Sequence, residues 1–212
     1  MGNMSSATTI NADKGRVYFK GSVTTTAYIS ATHAACACRQ FMITGDNVVG
    51  GGQIASLFEN NASTGEYTLK TYTTSYSGTY QTYYAYCGEA SYMFRDCTAI
   101  TDFSKAIMPN GTSNTTNQSA DGPCKGMFLN CTNLIKAPYL PATTLSDAAY
   151  DIMFENCSSL TEVKCNATTF GTNATFYWLD CVSASGTFYK NVNATWKSGV
   201  SGIPSGWTTQ NL

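Results

Sequence analysis

Apolar residues along this chain fall into recurring blocks rather than into one continuous helical or strand period. The block Tyr92-Met93-Phe94-Arg95-Asp96-Cys97-Thr98-Ala99-Ile100 returns as Gly126-Met127-Phe128-Leu129-Asn130-Cys131-Thr132-Asn133-Leu134, and again as Ile152-Met153-Phe154-Glu155-Asn156-Cys157-Ser158-Ser159-Leu160. A weakened fourth copy follows, Phe176-Tyr177-Trp178-Leu179-Asp180-Cys181. The cysteines at 97, 131, 157 and 181 step by 34, 26 and 24 residues, which fits a stacked-repeat period with one insertion. Equivalent positions on successive turns of such a stack meet in the core. The spacing therefore predicts one column of Phe94, Phe128, Phe154 and Trp178, and one of reduced, structural thiols at Cys97, Cys131, Cys157 and Cys181. In the fourth copy Tyr177 and Trp178 replace the Met-Phe pair, as expected where stacking stops and a cap begins.

Other segments are read from the same pattern. Arg16 to Lys20 and Gln40 to Thr44 are short β-prone runs, and Gly50-Gly51-Gly52 reads as a break after them. Leu57-Phe58, with Asn61 at the cysteine position, can be laid on the repeat as a degenerate first copy. Residues 66–92 are rich in tyrosine, and Tyr72, Tyr76, Tyr80 and Tyr84 satisfy a strand face and a helix stripe alike; intervening Thr and Ser favour strands or extended loop. Asn110 to Asp121 reads as a polar surface excursion. From Cys131 to Cys157, Pro138 and Pro141 belong in an extended segment outside any central strand, and Ser146 to Ala149 can start a helical turn carrying Tyr150, Met153 and Phe154 inward. Ser185 to Lys190 and Ile203 to Thr208 suggest two closing extended segments.

These motifs resemble the BspA-like leucine-rich repeat proteins, in which Met-Phe-x-x-Cys-Thr-x-Leu alternates with Ala-Pro-x-Leu-Pro-Ala-Thr-Thr-Leu. Here the two read Met127 to Leu134 and Ala137-Pro138-Tyr139-Leu140-Pro141-Ala142-Thr143-Thr144-Leu145. Ser185 to Asn191 with Gly202 to Thr208 also resembles that family's terminal segment, so the likeness covers roughly residues 92–212. It implies a non-catalytic surface protein of gut Bacteroidetes type, or of their phages, associated with adhesion. The fold class expected is mainly β: a β-rich N-terminal module (1–55), a short leucine-rich-repeat-like solenoid with polar and Tyr-rich insertions (56–184), and a C-terminal β cap (185–212).

Composition narrows the function. Of 212 residues only 12% are charged and the net charge is −1, which argues against a nucleic-acid surface built on clustered Lys and Arg. No apolar run reaches membrane-span length. The N-terminus has no basic region followed by an apolar stretch, so no signal peptide is expected, and Met1-Gly2-Asn3 with Ser6 matches a myristoylation pattern only loosely.

Sharper chemistry has thin support. His33-Ala34-Ala35-Cys36-Ala37-Cys38 offers three of the four ligands zinc takes, so paired thiols or strand residues are the better reading. A Cys-His nucleophile there would lack an orienting group. Asp96 with Asp102, or Glu155 with Glu162, could be paired as in glycoside hydrolysis, but they fall on polar repeat positions. The sequons at Asn110, Asn130, Asn156, Asn166, Asn173 and Asn193 follow from Thr, Ser and Asn abundance. No enzyme, metal or cofactor is expected. The candidate contact residues are Tyr72, Tyr76, Tyr80, Tyr83 and Tyr84, since tyrosine presents amphipathic area at low entropic cost. The expected role is attachment on a virion surface or cell exterior, to a surface glycan or protein. The competing expectation is an architectural decoration or fibre subunit that self-associates.

Overall fold

The computed structural model describes residues 41–57, 68–77, 82–114 and 122–212, preceded by two short paired strands, β1 (Tyr28–Ile29) and β2 (Ala34–Ala35). The fold is mainly β, and one 3-10 turn, Ile54–Leu57, is the single helical element among the described residues. Six strands form a sheet in strict chain order: β3 (Val48–Gln53), β6 (Ile100–Ile107), β8 (Lys136–Leu140), β10 (Glu162–Cys165), β12 (Gly186–Lys190) and β13 (Trp207–Asn211). Every neighbouring pair is parallel. A second run of parallel pairs joins β4 (Thr68–Ser77) to β7 (Gly111–Ser113), and β9 (Thr144–Leu145) to β11 (Thr169–Phe170). The remaining strand, β5 (Thr82–Gly88), turns back antiparallel on β4.

The Met-Phe-x-x-Cys blocks form a third stack, made of consecutive turns. Within a block alternate amides bond locally, as Met93 N–H to Ala90 O (3.3 Å) and Met153 N–H to Tyr150 O (3.1 Å). The amides between them bond to the next copy: Phe94 N–H to Met127 O (2.8 Å), Phe128 N–H to Met153 O (2.9 Å) and Phe154 N–H to Trp178 O (3.0 Å). Such winding requires left-handed backbone at every fourth residue, and φ is positive at Tyr92 and Asp96, at Gly126 and Asn130, and at Ala148, Ile152 and Asn156. Ile152 at φ 47° is a β-branched residue in a region that costs roughly 1–2 kcal/mol, and its amide is pinned to Phe176 O at 2.8 Å. These turns replace the helical turn expected at Ser146 to Ala149. Tyr150, Met153 and Phe154 are nonetheless buried, because the inter-copy bonds hold them inward.

Side chains reinforce the backbone. Phe94, Phe128 and Phe154 stack at 5.4 and 5.5 Å between centroids, and Trp178 follows at 6.3 Å. The column extends one copy further toward the N-terminus than the Met-Phe-Cys pattern indicates. Phe41 stacks on Phe94 at 5.6 Å, and its amide reaches Met93 O at 2.8 Å, the same bond that Phe94 makes to the next copy. Phe41 thus takes the place assigned to the Leu57-Phe58 copy; Leu57 is buried, and Phe58 and Asn61 lie outside the described residues. Beside the rings runs the thiol column. Cys97, Cys131 and Cys157 are buried and donate to the carbonyls of Phe41, Phe94 and Phe128 at 2.8, 3.0 and 3.1 Å.

Three further expectations are corrected. Cys181 is exposed: the turn pattern slips by one residue in the fourth copy, so Cys181 takes the positive-φ position held by Asn156 in the third. Gly50 to Gly52 lie within β3 instead of breaking the chain, and a Cβ on Gly50 would stand 1.9 Å from the Phe103 ring. Pro138 lies in a central strand after all, at a register irregularity where Lys136 pairs Glu162 and Tyr139 pairs Lys164, so no ladder bond is asked of it. The excursion expected at Asn110 to Asp121 carries the short strand β7 within it. Thr112 there donates to Thr144 O and accepts from Ser146 N–H, while residues 115–121 lie outside the described residues.

The ring column sits at the centre of the core. Phe128→Ala is expected to lower unfolding free energy by about 3–5 kcal/mol in urea denaturation, because three neighbouring rings lose a packing partner. A loss under about 1 kcal/mol is the contrary result, of the size seen at loosely packed surface positions.

Candidate contact face

Parallel pairing aligns residues of successive strands in rows, and the six-stranded sheet carries two rows on its outward side. One runs Asp102, Lys136, Glu162, Thr187, Thr208; the other runs Ile107, Tyr139, Lys164, Tyr189, Gln210. The alternating positions Ala137, Val163, Phe188, Leu140 and Cys165 point inward and are buried. In β8, β10 and β12 one face thus fills the core and the other is presented to solvent.

Charge along the first row alternates in sign, negative at Asp102, positive at Lys136, negative at Glu162. Burial acts to raise the Asp102 carboxyl, yet hydrogen bonds from Ser104 (backbone N–H to Oδ1, 2.7 Å) and the charges of Lys136 and Lys105 hold it below the ordinary range. In the second row Lys164 is fixed from two sides. Its ammonium lies 3.2 Å from Glu162 Oε1 and 5.1 Å from the Tyr189 ring centroid. Tyr139 is 41% exposed, and partial burial, then the neighbouring Cys165, raises its phenol above the usual value. At the end of this row, next to Tyr139, a shallow depression of about 330 Å³ is lined by Ser104, Lys105, Ile107, Met108 and Pro141. That volume is at the low end for small-molecule sites. Broad rows with a shallow depression suit contact with an extended ligand better than enclosure of a substrate.

The tyrosines expected to make contact lie mainly on the β4–β5 hairpin. Tyr76 pairs with Tyr83, Tyr72 with Cys87, and Ser75 with Tyr84. Tyr80 lies outside the described residues, as do His33, Cys36 and Cys38. Tyr139 and Tyr189 stand alone in the sequence and were not among the contact candidates. Their relation depends on Lys164 pairing with both, a register the linear spacing does not display.

Asp96 accepts from Asn130 Nδ2 at 2.7 Å and meets Arg95 at 3.2 Å, while Asp102 is held by Ser104. Asn156 in turn donates to Asn130 Oδ1 at 2.9 Å, so two of the sequon asparagines serve as rungs of an amide ladder. Among the described residues no group of three or more His, Cys, Asp or Glu could hold a metal ion. No helix among them is long and apolar enough to cross a membrane.

No protein-family model, curated protein or solved structure matches this chain.

The face generates an electrostatic prediction. In an NMR titration Asp102 is expected to lose its charge below the ordinary carboxylate range, and Lys136→Ala should move that midpoint upward. Since the folded value is depressed, the stabilisation from Asp102 is present above the unfolded carboxylate value, and is lost as pH falls through the folded one. An unchanged midpoint in Lys136→Ala contradicts the coupling along this row.

Proposed function

We propose that this chain is a short leucine-rich-repeat-like solenoid with a C-terminal cap that works as a non-catalytic attachment module. It is displayed on a virion or cell exterior and contacts a surface glycan or protein. The observation that carries the reading is the outward sheet face, with Tyr139, Lys164 and Tyr189 in one row and Asp102, Lys136 and Glu162 in the next. Rings backed by a rigid sheet lose little freedom on binding, and adjacent charges of both signs give direction without a strong net field. Support for the solenoid comes from six parallel strands in chain order and from the stacked turns between them. Support for the cap comes from Trp178, which donates its indole N–H to Gly202 O at 2.8 Å and stacks on Trp196 at 5.2 Å.

A second reading, a decoration or fibre subunit held by protomer contacts, is favoured by the last strand. β13 lies at the edge of the sheet, and Thr208, Thr209, Gln210 and Asn211 are exposed and uncharged. Edges of this kind usually carry a charge or a proline that discourages pairing.

The test is a glycan array and a cell-surface binding assay on the wild type, on Tyr139→Ala/Tyr189→Ala and on Tyr76→Ala/Tyr83→Ala. Binding by the wild type that falls at least about tenfold in the first variant, with unchanged melting temperature, is expected. Loss confined to the second variant transfers the contact to the hairpin. No binding by any form, together with concentration-dependent assembly in native mass spectrometry, overturns attachment in favour of the fibre reading.

A further inference from the structure

A different surface, at the C-terminal end of the stack, has the chemistry of a ligand subsite. Phe170, Phe176, Trp196, Asn173, Thr175 and Lys197 line a depression of about 250 Å³. Phe176 is 46% exposed and Phe170 36%, large fractions for rings beside a packed core. Both are braced: Phe170 meets Trp196 edge-on at 4.7 Å, and Phe176 meets Tyr177 edge-on at 4.4 Å. Trp196 is itself stacked on Trp178 at 5.2 Å. The walls are therefore fixed in advance, which reduces the ordering cost of binding.

Two groups at this place lack the partners that their chemistry calls for. The indole N–H of Trp196 is buried and finds no acceptor among the described residues, whereas the indoles of Trp178 and Trp207 each reach a carbonyl at 2.8 Å. Buried donors are nearly always satisfied, so this orphan is an unusual feature of the wall, although it lies beneath the surface and out of reach of a ligand oxygen while the rings hold their places. The ammonium of Lys197 carries no ion pair among the described residues, and no carboxylate lines the depression. The hydroxyl of Thr175 already donates to Ser201 O at 2.9 Å, leaving its lone pairs for a ligand donor.

We propose that this depression binds a carboxylated saccharide unit, with the apolar ring face against Phe176 and Phe170 and the carboxylate toward Lys197. An acidic peptide would satisfy Lys197 but offers no stiff ring with one apolar face and a hydroxylated rim. A neutral sugar would use the rings and leave the one unpaired charge unanswered. The subsite is separate from the outward sheet rows, so it stands or falls independently of the attachment reading above.

The test uses the full chain and a panel of galacturonate, glucuronate and sialyl oligosaccharides, each beside its carboxyl methyl ester, with a polyglutamate peptide as the non-sugar anion. Binding is followed through the indole ¹H–¹⁵N resonance of Trp196, assigned with Trp196→Phe. At least one acidic member should shift that resonance. Its methyl ester and the Lys197→Ala variant should each bind at least about tenfold more weakly, the size of one charge-assisted contact. Phe176→Ala should weaken binding as well, and Tyr139→Ala/Tyr189→Ala should leave it unchanged. Because Phe176 and Lys197 are exposed, these variants keep the fold, which the melting temperature verifies. The proposal is overturned by a Trp196 resonance unmoved across the panel, by esters binding as well as acids, by insensitivity to Lys197→Ala, or by polyglutamate binding as tightly.

Discussion

The stack depends on the amide-to-carbonyl bonds that run from one turn block to the next. Phe94, Phe128 and Phe154 each send their N–H to the following copy, so a turn segment with no helix of its own satisfies alternate donors by borrowing its neighbour's carbonyls. A single copy could not do this. Its buried donors would face either unsatisfied burial or exposure to water, at about 1–3 kcal/mol for each group left unmade. The requirement for left-handed backbone every fourth residue follows from this winding, and it explains why Asp and Asn, which tolerate that conformation, stand at 96, 130 and 156. Their amide ladder, and the Cys thiols donating to Phe carbonyls, use the same alignment.

That constraint also shapes the surface. Because copies must superimpose to bond, strands at the sheet must align in parallel register, and outward residues fall in straight rows. The result is a set of rows across the outward face of the sheet. Low charge overall leaves each placed charge, such as Lys164 between Glu162 and Tyr189, with local consequences rather than a long-range field. Toward the C-terminus Trp178, Trp196 and Trp207 pack on the core, and Trp196 also borders a depression.

The ring column was legible from residue 92 onward because Met, Phe and Cys recur there at fixed offsets. It was not legible at Phe41, where Gln40 and Thr44 stand at the repeat's Met and Cys offsets and 53 residues separate the ring from Phe94. The helical turn at Ser146 to Ala149 was misread because burial at i, i+3 and i+4 also arises from two consecutive turns. Ala148 and Ile152 show no sign in sequence of their positive φ. Gly50 reads as a breaker only while Phe103, fifty-three residues away, is not known to cross it. Cys181 looked equivalent to the other three thiols, yet a one-residue slip of the turns reverses its direction. The outward rows were hidden for a related reason: Tyr139 and Tyr189 meet through strand register, while the tyrosine-dense hairpin dominates any linear count.

Burial pushes the Cys131 and Cys165 thiols up to about 12, and raises Cys157 as well, so none is a thiolate at neutral pH. Timed maleimide labelling of the native protein, mapped peptide by peptide, therefore reports the stack directly. Cys181 should label within minutes. Cys97, Cys131 and Cys157 should stay protected and then label together as denaturant crosses the unfolding transition. Labelling of Cys131 at the rate of Cys181 in native buffer, or a disulfide joining two of the repeat cysteines, would contradict a single continuous stack.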